Sequence, residues 1–391
     1  MSRSQLLLVG GLASDVARET AESAMHEVEG AVLVHHDLRS LTEGIVRRTV
    51  RTAEDVRETV LELAHGCASC TLREDVLPLL RRLARNRVPR IVLHLDPAME
   101  PESVCGALST LLVEDEDGPG TVCEVLDIAA VLVVIDPENW FRRATGDETL
   151  VEMGLGAGTE DERTVAHVAT GAVAFADVLV LARSADPQTL AVLDRLAPAA
   201  VRTTGREVGQ LLERLPAEAR RGEADDPHGP LLRGTPPLHA EHGIVLTEFD
   251  ARRPLHPKRF AEAMEVLLDG VVTAWGRIWL ASKPEASLWL ESAGGALWLG
   301  YLGPWLCAAP DEWEQAAPLR SATAALRWDP YYGDREQHLL VLVHEADPER
   351  ITEALNGALL TDAELAEGQD GWRALPDPFQ LFEDEPCGSQ S

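Results

Sequence analysis

Apolar positions fall into two rhythms along this chain, and the change between them divides it. Leu6-Leu7-Leu8-Val9 is a short apolar run that ends on Gly10-Gly11, and residues 14–25 behind it carry apolar side chains at helical spacing. A strand, a glycine turn and a helix is how a P-loop domain begins. Further buried strands are expected at 31–34, at 90–96 (closing on Asp96 before Pro97), at 125–135 and at 174–181. A helix is expected over 52–63, leading into a pair of cysteines, and another from residue 102. Strands that alternate with helices in this way predict an α/β domain built on a parallel sheet.

Beyond residue 240 the strands come as neighbours instead. Residues 243–249, 275–281 and 339–344 read as strands, and 288–301 as a strand pair turned at Ala293-Gly294-Gly295. Helices are expected over 257–268 and again after Asp347-Pro348, an N-cap followed by a first-position proline, with Ile351, Leu355 and Leu359 as the buried stripe. This pattern predicts a smaller α+β domain. The resulting organisation is 1–215, a Pro/Gly- and charge-rich linker over 216–240, a second domain over 241–365, and a disordered acidic tail over 366–391.

Composition narrows the picture. A chain of 391 residues, 45% hydrophobic and 26% charged, can bury two cores. The longest apolar run, 128–135, is too short to span a bilayer, and no export signal is visible. Four of the six cysteines (Cys105, Cys123, Cys307, Cys387) are scattered singly and make no disulfide framework, so a reducing cytoplasm is the expected compartment. The net charge of −30 argues against generic nucleic-acid binding. Any RNA contact would have to be local, and the one candidate is Arg81, Arg82, Arg85, Arg87 and Arg90, read here as the solvated face of a helix that buries Val76, Leu79, Leu80 and Leu83. Seven of the nine tryptophans lie between Trp275 and Trp328, and several are expected in the second core.

The clearest candidate chemistry is His65-Gly66-Cys67-Ala68-Ser69-Cys70. Two thiols three positions apart at the start of a helix can reach one soft metal ion, and the helix terminus favours their thiolates. His65 could add an imidazole, leaving a fourth tetrahedral position open. The same spacing also suits a thioredoxin-like redox pair, or a loop with two unrelated cysteines; His65 tips the choice toward zinc. His94 is the outside candidate for a fourth ligand, while His35-His36 and His239 with His242 are expected to be ordinary loop histidines.

Gly66-Cys67-Ala68-Ser69-Cys70-Thr71-Leu72-Arg73-Glu74-Asp75 resembles the Gly-Cys-x-Cys-Cys-x-Leu-Arg-x-Asp motif of the CobW family of GTP-dependent metallochaperones, with Ser69 in place of the middle cysteine. The resemblance continues in Val134-Ile135-Asp136-Pro137-Glu138-Asn139-Trp140, in Leu255-His256-Pro257, in Gly276-Arg277-Ile278-Trp279-Leu280-Ala281, in Trp328-Asp329-Pro330, and in Asp334-Arg335 with Gln337. It implies a P-loop NTPase-like domain followed by a CobW C-terminal domain.

The nucleotide chemistry of that family is missing, however. Gly10-Gly11-Leu12-Ala13-Ser14-Asp15-Val16-Ala17 stands where a phosphate loop should be, with Val16 and Ala17 in place of the lysine and the metal-binding hydroxyl. The chain's two lysines are Lys258 and Lys283, far from this loop. Leu95-Asp96-Pro97-Ala98 replaces the family's switch, and Ala182-Arg183-Ser184-Ala185-Asp186 replaces its guanine-reading segment. GTP binding and catalysis are therefore not expected.

Within the family, Ala64-His65-Gly66-Cys67 with Ser69-Cys70-Thr71, Arg47-Arg48-Thr49-Val50 and Arg90-Ile91-Val92-Leu93-His94-Leu95 resemble an actinobacterial, zinc-responsive branch whose members recruit a hibernation factor to ribosomes. That resemblance implies an adaptor with a protein partner, a ribosome or a hibernation factor, and no membrane. The alternative it leaves open is a GTP-dependent chaperone that delivers zinc to a client protein.

Overall fold

The computed structural model describes residues 3–63, 67–115, 118–158, 161–204 and 208–379. They form two compact units, the first comprising residues 1–224 with 234–236, the second 225–233 with 237–391. The stretch expected as a linker is thus shared, since 225–233 pack with the second unit.

The first unit is built on an eight-stranded sheet in the order β4-β3-β2-β5-β1-β6-β7-β8. The strands are β1 (Ser4–Gly10), β2 (Val32–Asp37), β3 (Ile45–Arg51), β4 (Val56–Glu62), β5 (Arg90–His94), β6 (Leu126–Ile135), β7 (Val178–Leu181) and β8 (Val201–Thr203). Leu6, Leu7, Leu8 and Val9 of β1 are all fully buried, because a parallel strand at the middle of a sheet is covered on both faces. Six strands run parallel, and β3 and β4 add an antiparallel edge. No helix among the described residues is long and apolar enough to cross a membrane.

The helix expected over 52–63 is instead strand β4. Its glutamates, Arg57 and Leu61 suit a helix locally, but Val56, Thr59 and Val60 are β-branched, and the turn at Thr52, whose side chain accepts from the Glu54 and Asp55 N–H groups, folds the segment back onto β3. Pairing with a neighbour outweighs a weak propensity. The strand expected over 174–181 is shorter at its start, because Phe175 still belongs to helix Val165–Phe175.

The second unit is a five-stranded antiparallel sheet, β12-β11-β10-β13-β9, formed by β9 (Val245–Ala251), β10 (Val271–Ile278), β11 (Ala286–Ala293), β12 (Ala296–Pro304) and β13 (Gln337–Val343). Helices Pro257–Ala263 and Pro348–Ala358 cover one face, where Phe260, Ile351 and Leu355 pack on Ala274, Ile278, Leu290, Leu339 and Val341. Asp347 caps the second helix through the Glu349 N–H. The mixed α/β architecture read from the sequence is the one observed.

Two expectations for this unit need correction. Of the seven clustered tryptophans only Trp279 and Trp305 are buried, while Trp328 is 47% exposed. The stretch from 366 is also ordered well past its start: Gly368–Arg373 is a helix, and Trp372 is buried against Trp279, Trp305 and Leu360. Asp377 pairs with Lys283. Residues 380–391 lie outside the described residues.

Candidate metal centre

Cys67 is the N-cap of a helical segment that is α-helical over Ala68–Thr71, π-helical over Leu72–Val76 and α-helical again over Leu77–Arg85. The π turn sits just before Pro78, whose ring removes one backbone donor and crowds the carbonyl a turn earlier. The Cys67 Sγ accepts from the Cys70 N–H at 3.2 Å and lies 3.0 Å from the Cys70 Sγ. A tetrahedral zinc with Zn–S bonds of about 2.3 Å holds its sulfurs about 3.8 Å apart, so opening the pair by less than about 1 Å would admit the ion. Both sulfurs are half-buried, and the buried Thr71 closes the turn by donating to the Cys67 carbonyl. His65, the expected imidazole ligand, lies outside the described residues.

The other described cysteines are poor thiolate sources. Burial pushes the Cys105 and Cys123 thiols up, and that of Cys307 up to about 11.

The helix is anchored to the sheet by a contact that sequence reading did not identify. Asp75 accepts from His36 Nε2 at 2.7 Å and from Arg48 at 2.5 Å, which ties the π turn to β2 and β3. His36 is 1% exposed, and burial lowers its pKa despite the carboxylate beside it. The available signal was Asp75 itself, the last residue of the cysteine motif.

His94 does not join the sulfurs. It faces His35 across the β2–β5 pair, their rings stacked at 4.4 Å, and burial lowers its pKa to about 3. Asp96 is also engaged, accepting from the Leu38 and Ala98 backbone N–H groups. His239 and His242 are exposed, as expected.

At the C-terminal ends of β1 and β6, where an open α/β sheet usually takes its ligand, the chain has little to offer a phosphate. β1 ends at Gly10 and helix Ser14–His26 begins after only Gly11, Leu12 and Ala13. Gly11 has φ +128°, and a Cβ there would collide with the Val134 carbonyl oxygen, so this glycine serves close packing on β6. The adjoining crevice is narrow and lined by Leu12, Pro97, Met99, Val133, Trp140 and Val168. Asp186, at the guanine-reading segment, caps helix Pro187–Leu196 by accepting from the Gln188 and Thr189 N–H groups. Arg183 pairs with Asp136 and Glu138.

The arginine cluster is a solvated face only in part: Arg82, Arg85 and Arg87 are exposed, while Arg81 and Arg90 are buried. Arg81 is 2% exposed, paired with Asp115 and donating to the Gly118 and Thr121 carbonyls, and Arg85 shares Asp115. The acidic segment that follows helix Pro101–Thr110 is thereby tied to this helix through Asp115.

The family described as CobW/HypB/UreG, nucleotide-binding domain, matches residues 27–202, and the cobalamin synthesis protein cobW C-terminal domain matches 244–359. The chain is 41% identical over 396 residues to a Mycobacterium tuberculosis protein named zinc chaperone Rv0106, covering 98% of this chain and 95% of that one. It is 27% identical over 369 residues to the zinc-regulated GTPase metalloprotein activator 1 of Dictyostelium discoideum, covering 87% of this chain and 74% of that one. Among solved structures, the Zn(II)-bound YjiA GTPase from E. coli aligns with 92% of this chain and 100% of its own at 13% identity and a TM-score of 0.38. By its two matched domains and its identity to full-length relatives, this chain belongs to the CobW family.

Proposed function

We propose that this protein is a zinc metallochaperone that takes up zinc through Cys67 and Cys70, with His65 as a third ligand, and passes it to a client protein without hydrolysing GTP. The observation that carries the reading is the thiol pair held 3.0 Å apart at the start of a helix anchored to the sheet by Asp75. The names of its relatives, a zinc chaperone and a zinc-regulated GTPase metalloprotein activator, agree with the zinc-delivery part of this reading. A site with two sulfurs, one imidazole and an open position releases its ion more readily than a closed four-ligand site. The three-residue turn after β1 and the apolar crevice beside it support the absence of phosphoryl transfer, which depends on positioned charges.

A second reading is an adaptor that recruits a hibernation factor to ribosomes under zinc limitation. It draws on the same loss of nucleotide chemistry. The burial of Arg81 and Arg90 reduces the arginine patch that would have met RNA to Arg82, Arg85 and Arg87, which favours a protein as the adaptor's main contact.

Zinc competition against a chromophoric chelator tests the metal site: Cys67→Ser and Cys70→Ser each remove most of the thiolate-bound zinc, and Cys105→Ser leaves it. Undiminished thiolate-to-metal absorption on loading the double variant with cobalt would overturn the assignment. GTP hydrolysis is expected at the level of a buffer blank with or without zinc, and a zinc-stimulated rate lost on mutation near Gly10 would refute that part. Co-sedimentation with ribosomes from zinc-depleted cells separates the two readings, since the chaperone reading expects none.

A further inference from the structure

The second unit carries a separate set of metal-capable side chains on the face of its sheet turned away from the two helices. Glu248 and Asp250 are two positions apart on edge strand β9, so both point to one face, and the antiparallel register sets His338 of β13 directly opposite Asp250. One ligand atom from each of the three lies within 4.8 Å of the others, the one such cluster among the described residues. The carboxylates face solvent, at 47% and 41% side-chain exposure, while the imidazole is nearly buried at 11%.

The surroundings suit an ion. His338 Nε2 lies 2.8 Å from Glu248 Oε1, so in the absence of metal this nitrogen carries the ring proton and donates it. Behind the ring, the Glu336 carboxylate stands 4.0 Å from Nδ1. When a cation takes Nε2, the ring proton moves to Nδ1, and Glu336 accepts it by closing the 4.0 Å gap to hydrogen-bond distance, the carboxylate–histidine–metal arrangement that orients such ligands. Arg277 then gives up its 3.4 Å contact to Nδ1, but it keeps Glu336 and the Pro227 and Gly229 carbonyls. Arg327 bridges Asp250 and Glu336, and because its side chain is 30% exposed it can leave Asp250 for the ion while keeping Glu336. The exchange strands no buried charge.

We infer that Glu248, Asp250 and His338 form a second, thiol-free site for a divalent transition metal, open to solvent on the edge of the C-terminal sheet. Two carboxylates and one imidazole with open positions suit zinc or manganese.

The test uses the full chain carrying Cys67→Ser and Cys70→Ser, titrated with zinc alone against a competing chelator and with cobalt by absorption. One equivalent should still bind, with visible cobalt bands but no thiolate charge transfer. Adding Glu248→Gln, an exposed position that leaves the core alone, should weaken binding at least about tenfold. Adding Arg327→Ala instead should tighten it, since a competing cation is gone. Because the measurement is made without the thiols, failure of the Cys67/Cys70 assignment leaves it intact. No binding in the thiol-free chain, or binding indifferent to Glu248→Gln and Arg327→Ala, overturns the proposal.

Discussion

Replacing Asp75 with alanine tests whether the cysteine helix is held in place from the sheet. The carboxylate accepts from His36 and Arg48, whose side chains are 1% and 17% exposed, and is itself 15% exposed. Hydrogen bonds to a charged group contribute about 1.5–3 kcal/mol each. Arg48 retains Thr59 and some access to water, so its share belongs at the low end. His36 fares worse, because its Nδ1 already has no partner among the described residues. The loss is therefore about 3 kcal/mol, or roughly a hundredfold in a local opening equilibrium.

Two compact units make a single global unfolding curve hard to interpret, so the assay is amide hydrogen exchange read on the peptide spanning 67–85. Protection there should fall about a hundredfold, with β9–β13 peptides unchanged. Zinc affinity at Cys67 and Cys70 should weaken in the same variant by no more than that factor, because the anchor can act on the ion only through the helix. A fall in protection below about threefold would show that packing of Leu72, Val76 and Leu80, rather than Asp75, holds the helix.

Three further outcomes follow from the fold. His94 is held neutral, with its pKa lowered from 6.5 to about 3, so the unfolded chain binds its proton first on acidification; its contribution to stability is complete above pH 6.5 and is lost at about 1.4 kcal/mol per pH unit down to about 3, a slope that His94→Gln should flatten in denaturation curves taken from pH 7 to pH 4. Gly11→Ala, at φ +128° and against the Val134 carbonyl, should cost more than about 2 kcal/mol by thermal melting, whereas a turn open enough to cradle phosphate would tolerate it. Trp372→Ala removes a 3% exposed indole that donates to the Glu364 carbonyl and should cost about 3–5 kcal/mol in the second unit's melting transition, an effect that a disordered tail could not produce.

What the sequence determined by itself lies in local or strongly repetitive signals. The apolar runs of β1, β5 and β6, the Asp347-Pro348 helix start and the Gly294-Gly295 hairpin were legible because each is set by a few adjacent residues or by burial on both faces. The cysteine turn was legible too, since three-residue spacing at a helix start brings two sulfurs together whatever surrounds them. The missing lysine and hydroxyl after β1 needed no structure at all. Tertiary structure decided the rest, wherever a distant partner outweighed a local preference. Pairing with β3 made 56–62 a strand, and Asp115 drew Arg81 out of solvent. Trp279 and Trp305 gave Trp372 a core to join, which ordered a stretch that reads as tail. His36 and Arg48 met Asp75, and His338 met Glu248 and Asp250, only because neighbouring strands settled into one register, and register depends on burying one face of a sheet rather than on any short stretch of chain.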